Sequence, residues 1–430
     1  MLKNKETLIT TFAMFSLFFG AGNLILPPFL GFKSGELWWL VAWGFAISAV
    51  LVPIFGILAH AKLQGTIFDF GKKVSPAFSM VYSFAIYAIA VGLPSPRTAS
   101  VTHEIAIQPF FNVSSLTTSI LYFSLVFVFV MNRSKILDIL GKLLTPAIIF
   151  ILLAIIGITI MDLDFAFEKS SIVNPLSLGI LEGYQTFDAI AALVVGGVII
   201  VSINLRSKAP YEAKKRLIKR SGWLAGLALF LIYAGLILTG ALQQDHFMEG
   251  VSRTELLTGI SSLTLGNTAN IFLSILVSLA CFTTAVGIVT GAADFIKAKF
   301  SRWYYGYLAT AIIGCLLGIL IGQFNVGYII TIALPALMFI YPITIVLILL
   351  NLVPDRWASP RVFKKVVLAT FVFSIPDFLG TLSFVDINTD IFGWIPFSDY
   401  QLGWVLPALV AFIIANVLDK ATSSKSGIGA

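Results

Sequence analysis

Apolar residues run along this chain in long blocks separated by short polar gaps. Twelve blocks can be marked, at 7–31, 38–63, 78–107, 116–131, 136–161, 177–203, 221–242, 268–296, 303–321, 327–352, 362–382 and 400–418. At ~1.5 Å per residue, each is near the length a helix needs to cross ~30 Å of hydrocarbon. Helix breakers mark the gaps, among them Lys33-Ser34-Gly35, Gly71-Lys72-Lys73, Asn174-Pro175 and Val353-Pro354-Asp355. No gap is long enough for a soluble domain. The largest, 205–220, is basic and predicts a short amphipathic helix. The pattern therefore predicts an all-α polytopic membrane protein: residues 1–420 form one transmembrane domain of twelve helices, and 421–430 form a flexible tail.

Composition agrees. The chain is 58% hydrophobic and only 11% charged, where soluble domains carry about a quarter charged residues. The net charge of +7 does not imply a nucleic-acid partner, because the basic residues alternate between gaps. With the N-terminus placed inside, the outer gaps keep only Lys33, Lys169 and Arg253. They hold Glu36, Asp162, Asp164, Glu168, Asp245, Glu249, Glu255, Asp386, Asp390 and Asp399 instead. Excess Lys and Arg marks the cytoplasmic side, so both termini are expected in the cytoplasm. Lys3 and Lys5 precede an apolar run, as in a signal peptide, but the run is too long and no small-residue cleavage site closes it. The expectation is an uncleaved first span. Cys281 and Cys315 lie in apolar runs and read as small buried hydrophobes.

Two blocks are poor helices at their centres. In the first, Gly20-Ala21-Gly22-Asn23 lacks side-chain bulk and Pro27-Pro28 follow. Glycine costs backbone entropy in a helix and proline removes a donor. A break facing lipid leaves amides and carbonyls unpaired, so it is tolerated only where it lines a polar cavity. The expected inner half ends near Phe19 and the outer half begins near Asn23. The sixth block carries the second interruption, Leu181-Glu182-Gly183-Tyr184-Gln185-Thr186-Phe187-Asp188, with the unwound turn expected at Gly183-Tyr184. The two blocks are five spans apart, so they enter from opposite sides. This predicts a five-plus-five inverted repeat (about 7–161 and 177–352), with two further helices at 362–418. Paired broken helices of this kind are the signature of a secondary transporter.

A broken helix exposes amides that suit a carboxylate and carbonyls that suit a hard cation or an ammonium. A glycine-mediated helix crossing explains Gly20 and Gly22 but not Asn23 or the double proline. Glu182 and Asp188 are acids at membrane depth, which default to function; Asp188, with Thr186, equally suits a cap of the inner half-helix. Tyr184 and Phe187 are candidate walls of an apolar pocket, though packing suits either ring. In the eighth block, Ala280, Thr283 and Thr284 share a helix face through i, i+3, i+4 spacing and offer neutral oxygens. Those hydroxyls equally suit bonds back to the preceding turn. In the third block, Pro94, Pro96 and Arg97 predict a kink near the outer side. There Arg97 is an outer-gate candidate, or a partner of Glu104 two turns on, or a snorkelling side chain. His103 reads as solvated. No phosphate-binding loop, metal cluster or hydrolytic set stands out, so neither an ATP-driven machine nor an enzyme is expected.

With these residues in view, the chain resembles the branched-chain amino acid:cation symporter family (LIVCS, the BrnQ-type carriers). The resemblance spans nearly the whole chain. Its most specific stretches are FFGAGNLILPPFLG at 18–31, PRTASVTHE at 96–104, LEGYQTFDAIAAL at 181–193 and ACFTTAVG at 280–287; YPITIVLILLN at 341–351 also fits. The resemblance implies sodium held by the carbonyls of Ser16, Phe19 and Ala280 and the hydroxyls of Thr283 and Thr284. It places substrate against Gly20, Ala21, Gly22 and Asn23, and against Glu182, Gly183, Tyr184, Gln185, Thr186 and Phe187. Arg97, Glu104 and Asp188 remain gate or coupling candidates.

The expected activity is sodium-coupled import of leucine, isoleucine and valine through the cell membrane by alternating access, with no cofactor beyond the coupling ion. Proton coupling on the same fold is the nearest alternative, with Glu182 as the buried acid. A channel or membrane receptor is the alternative from another class.

Overall fold

In a computed structural model of the chain, the structure describes residues 4–132, 136–162, 166–194, 196, 210–382 and 389–426. All regular elements among them are helical. The end of the sixth block, and Asp164 and Asp386 of the acidic outer gaps, lie outside the described residues.

The first block is two helices, α1 (Asn4–Phe18) and α2 (Ala21–Ser34), interrupted at Phe19 and Gly20. The outer half thus begins two residues before Asn23. Asn23 is the reason: its Oδ1 accepts the Gly20 amide at 3.2 Å, a cap formed from inside the helix. Pro27 and Pro28 lie within α2, so the carbonyls of Asn23 and Leu24 have no intrahelical donor.

The second block is α3 (Trp38–Ala46) and α4 (Val52–Leu63), joined by a wide turn at Ile47–Leu51. A short α5 (Ile67–Gly71) precedes α6 (Pro76–Gly92). The third block then bends at Leu93 into α7 (Pro94–Thr102) and a wide turn at His103–Ile107, as its prolines predict. Next come α8 (Ser115–Met131) and α9 (Ile136–Asp162). The sixth block divides into α10 (Pro175–Tyr184) and α11 (188–194).

Two expectations of extent need correction. The basic stretch is no separate amphipathic helix where described: α12 (Tyr211–Leu242) runs through it without interruption. The eighth block starts much earlier, as α13 (Arg253–Lys299), bent at Gly266, whose φ of 76° breaks the helix into a shorter N-terminal arm and a longer apolar rod. The remaining helices are α14 (Gly306–Gly322), α15 (Val326–Leu352), α16 (Pro360–Gly380) and α17 (Val405–Ser426). Among the described residues, five helical runs are long and apolar enough to cross a membrane and three shorter apolar helices accompany them.

Glycine crossings hold the two interrupted blocks in place. A Cβ at Gly31 of α2 would collide with the Ile237 carbonyl of α12, and one at Gly240 with the Pro28 carbonyl. The same reciprocal contact joins α10 to α3, where Gly179 meets the Val41 carbonyl and Gly44 the Leu176 carbonyl. Such small-residue seams let helix backbones touch, the main source of packing energy where lipid and side chains are equally apolar. α13 crosses α2, α7 and α9, while α16 and α17 pack successively outside α15. At one end of the bundle, Lys73 pairs with Asp355 at 2.9 Å and Lys62 lies 3.8 Å away. The Lys73 hydrogen bond and charge hold that carboxyl below its ordinary range.

Candidate substrate and ion site

Both interruptions open onto one cavity of about 40 Å³, lined mostly by buried residues. The first break contributes Phe18, Gly20, Ala21, Gly22 and Asn23; the second contributes Thr186, Phe187 and Asp188. Arg97 and Thr98 of α7 and Thr284 of α13 complete the polar wall.

Local geometry explains the polar ends. In a continuous helix the Gly20 amide would bond to the Ser16 carbonyl. Here it bonds to Asn23 Oδ1 and to the Phe18 carbonyl at 3.0 Å. The Ser16 carbonyl is left without that donor. At the start of α2, the first-turn amides of Ala21 and Gly22 have no intrahelical acceptor and carry the positive end of the helix dipole.

The second break lies at Gln185–Phe187, beginning two residues later than the expected Gly183-Tyr184. Phe187 adopts φ 62°, a left-handed conformation that costs an L-residue roughly 1–2 kcal/mol. Non-glycine residues held there cluster at functional sites. The Thr186 hydroxyl donates to the Gly183 carbonyl at 2.8 Å and accepts the Asp188 amide at 3.2 Å, so Thr186 serves the N-terminus of α11. That frees the Asp188 carboxylate, which accepts from Asn23 Nδ2 at 2.6 Å. Asn23 Nδ2 also contacts the Tyr233 hydroxyl. One amide side chain thus ties both breaks to α12.

The other charged group is Arg97, 2% exposed. Its Nη1 donates to the Gln185 carbonyl at 2.7 Å, and its guanidinium lies 5.1 Å from the Phe187 ring centre. Its hydrogen bond goes to the second break and not to Glu104. Glu104 accepts from the Thr254 hydroxyl at 2.6 Å and the Val326 amide at 2.8 Å.

The remaining candidates divide. Thr284 faces the first break, its Oγ1 3.5 Å from where a Cβ on Gly20 would sit. The hydroxyls of Thr283 and Thr284 donate to the Ala280 carbonyl at 2.9 and 3.0 Å, so all three oxygens are gathered at one point. Thr283, Ala280, Ser16 and Phe19 stand behind the cavity wall rather than in it; Phe19 is buried between Phe15 and Tyr233. Glu182 is drawn away from the cavity, its carboxylate paired with Arg253 of α13 at 3.2 Å. Gly183 presses on Ser48, and Tyr184 stacks on Tyr341 with ring centres 4.4 Å apart. His103 is buried, not solvated, and its Nδ1 meets the Thr118 hydroxyl at 2.9 Å. Tyr233 was not among the sequence candidates. Its signal was a lone phenol in mid-span, where a hydroxyl must find a partner.

A bundle of apolar helices, two of them interrupted around a cavity with one acid and one base, defines a multi-pass membrane protein of the carrier type. The chain belongs to the branched-chain amino acid transport protein family, whose model matches residues 3–422. That is a family of carriers and permeases, not of enzymes. The chain is 32% identical to the branched-chain amino acid transport system 2 carrier protein of Pseudomonas aeruginosa, covering 97% of each. It is 30% identical to the branched-chain amino acid permease BraB of Bacillus subtilis, covering 96% of this chain and 95% of the other. Among solved structures, the fold is similar to a Na+-coupled sialic acid symporter, with TM-score 0.59 at 14% identity over 96% of this chain and 90% of that one. A manganese transporter of Eremococcus coleocola matches with TM-score 0.61 at 12% identity over 96% and 94%. At such identities the likeness is one of fold.

Proposed function

We propose that this protein is a sodium-coupled symporter that imports leucine, isoleucine and valine across the cell membrane, with both termini cytoplasmic. The observation that carries the reading is the meeting of two helix interruptions, from blocks five spans apart, at a single cavity. The twelve-span arrangement with a five-plus-five inverted repeat (about 7–161 and 177–352) and two added helices at 362–418 is part of the same proposal, supported by the placement of those interruptions.

In this reading sodium sits among the Ala280 carbonyl, the Thr283 and Thr284 hydroxyls and the carbonyls of Ser16 and Phe19. The support is the freed Ser16 carbonyl and the closeness of Thr284 to Gly20. The substrate carboxylate meets the first amides of α2 and its ammonium meets Asp188. The aliphatic chain takes the apolar wall of Ala90, Ile190, Ala191, Val194 and Ile288. Alternating access then requires one repeat to rock against the other. Uptake into proteoliposomes tests it: leucine accumulates under an inward sodium gradient, and Thr283→Ala with Thr284→Ala abolishes the sodium dependence. Accumulation indifferent to sodium removes this coupling.

One observation favours proton coupling as a second reading. Asp188 is a buried carboxylate lining the cavity, whereas Glu182, the acid expected for that role, is in an ion pair. Leucine uptake driven by a pH gradient without sodium, and lost in Asp188→Asn, selects it.

A further inference from the structure

We propose that Arg97 is the receptor for the substrate carboxylate, acting together with the N-terminus of α2. The proposal rests on the amino acid transport reading and deepens it.

Three features of Arg97 converge. It is buried among spanning helices, and none of the ion pairs among the described residues includes it. Only part of its fork is used: Nη1 is committed to the Gln185 carbonyl, while Nε has no hydrogen-bond partner. The guanidinium also lines the cavity, with Nη2 against the bare α-carbon of Gly22. Its charge therefore stands beside the first turn of α2, whose dipole is also positive. Two positive ends converge on one side of the cavity, with the Asp188 carboxylate in the same wall, an arrangement that suits the carboxylate of a zwitterion on the positive side.

The remaining donors match a carboxylate. A guanidinium edge offers two parallel N–H groups, the geometry that binds a carboxylate in bidentate fashion. The free amides of Ala21 and Gly22 supply further donors from the adjacent side. Glycine at 22 is what lets the two donor sets approach, since a Cβ there would collide with the guanidinium and lie 3.3 Å from the Gln185 carbonyl. The Phe187 ring lies against the guanidinium, a contact that favours this placement of its charge. Asp188 faces the same cavity, held by Asn23. Fixed plus and minus thus face the plus and minus of a zwitterion.

The test uses purified full-length protein in lipid nanodiscs, with binding of leucine compared with leucinol, its carboxylate reduced to an alcohol. Wild type favours leucine by at least roughly 100-fold, the cost of truncating one partner of a buried charge pair. Arg97→Gln lowers leucine affinity by a similar factor and leaves leucinol within threefold, and Arg97→Lys recovers part of the leucine affinity. Equal losses for both ligands in Arg97→Gln, or no loss for leucine, overturn the proposal by assigning Arg97 a packing role. Should Arg97→Gln not fold, the wild-type ratio decides: discrimination below about fivefold refutes it. A wild type that binds no branched-chain amino acid defeats the transport reading instead. The same pair of ligands is then built on whichever amino acid a panel shows to bind.

Discussion

The two breaks do one job by different physical means. At the first, Gly20 has φ −107° and ψ −168°, extended backbone open to any residue. The break is enforced by Asn23, which captures the Gly20 amide, and the glycine that matters sterically is Gly22, where Arg97 closes in. At the second, Gly183 lies inside α10 and is used for packing on Ser48. The reversal falls on Phe187, an aromatic residue in the left-handed region. One break follows from a capping side chain; the other is held in strain by Thr186 and by Arg97 stacked above the ring. The glycine visible in sequence is thus not always the residue that turns the chain.

Substitutions separate the two. The largest effect is expected for Gly22→Val, whose side chain fills the space between Arg97 and the Gln185 carbonyl. Leucine uptake falls at least about 100-fold, the scale for disrupting a buried charged contact. Gly287→Ala, where an added Cβ meets nothing within 4 Å, leaves uptake within twofold.

Next is Asn23→Ala, which takes from Asp188 its 2.6 Å donor and unlinks both breaks from Tyr233. Leaving a buried carboxylate short of a partner costs about 1–3 kcal/mol, read as a lower unfolding temperature in detergent alongside weaker leucine binding.

Phe187→Gly then sharpens the contrast. Glycine relieves the ~1–2 kcal/mol of left-handed strain but removes the ring beneath Arg97. Thermal stability is expected to stay near wild type while the KM for leucine rises about tenfold, as for loss of a stacked cation contact of ~1–2 kcal/mol. The smallest effect at the breaks themselves belongs to Gly20→Ala. Its φ is permitted and its Cβ makes ordinary 3.5 Å contact with Thr284, so uptake and sodium affinity change by less than about threefold on the scale of a surface-like substitution.

This contrast also explains what could be read from the sequence. The blocks, the first break and the kink in the third block were legible because length, glycine and proline act locally. The join of the basic stretch to α12 and the N-terminal arm of α13 were not, since apolar periodicity does not reveal where a polar helix continues. At the site, Asn23, Gly22 and Thr284 were legible by type. The exchange of roles between Arg97 and Glu182 was not. Each is a charged residue near a break, and only the packing of α7 and α13 decides that Arg97 enters the cavity while Arg253 draws Glu182 out of it. Tyr233 meets Asn23 across 210 residues of sequence, and Arg97 reaches the second break at Gln185 across 88, contacts that no local pattern encodes.

The central claim is that both interruptions line one substrate cavity in mid-membrane, and paired cysteine protection tests it most directly. With Cys281 and Cys315 replaced by alanine, Ala21→Cys and Thr186→Cys are introduced separately and treated with a membrane-impermeant thiol reagent. The account predicts that both sites are labelled and that saturating leucine protects both with the same concentration dependence. If neither site reacts from either side of the membrane, or if leucine shields one and not the other, the two breaks do not share a cavity and the account fails.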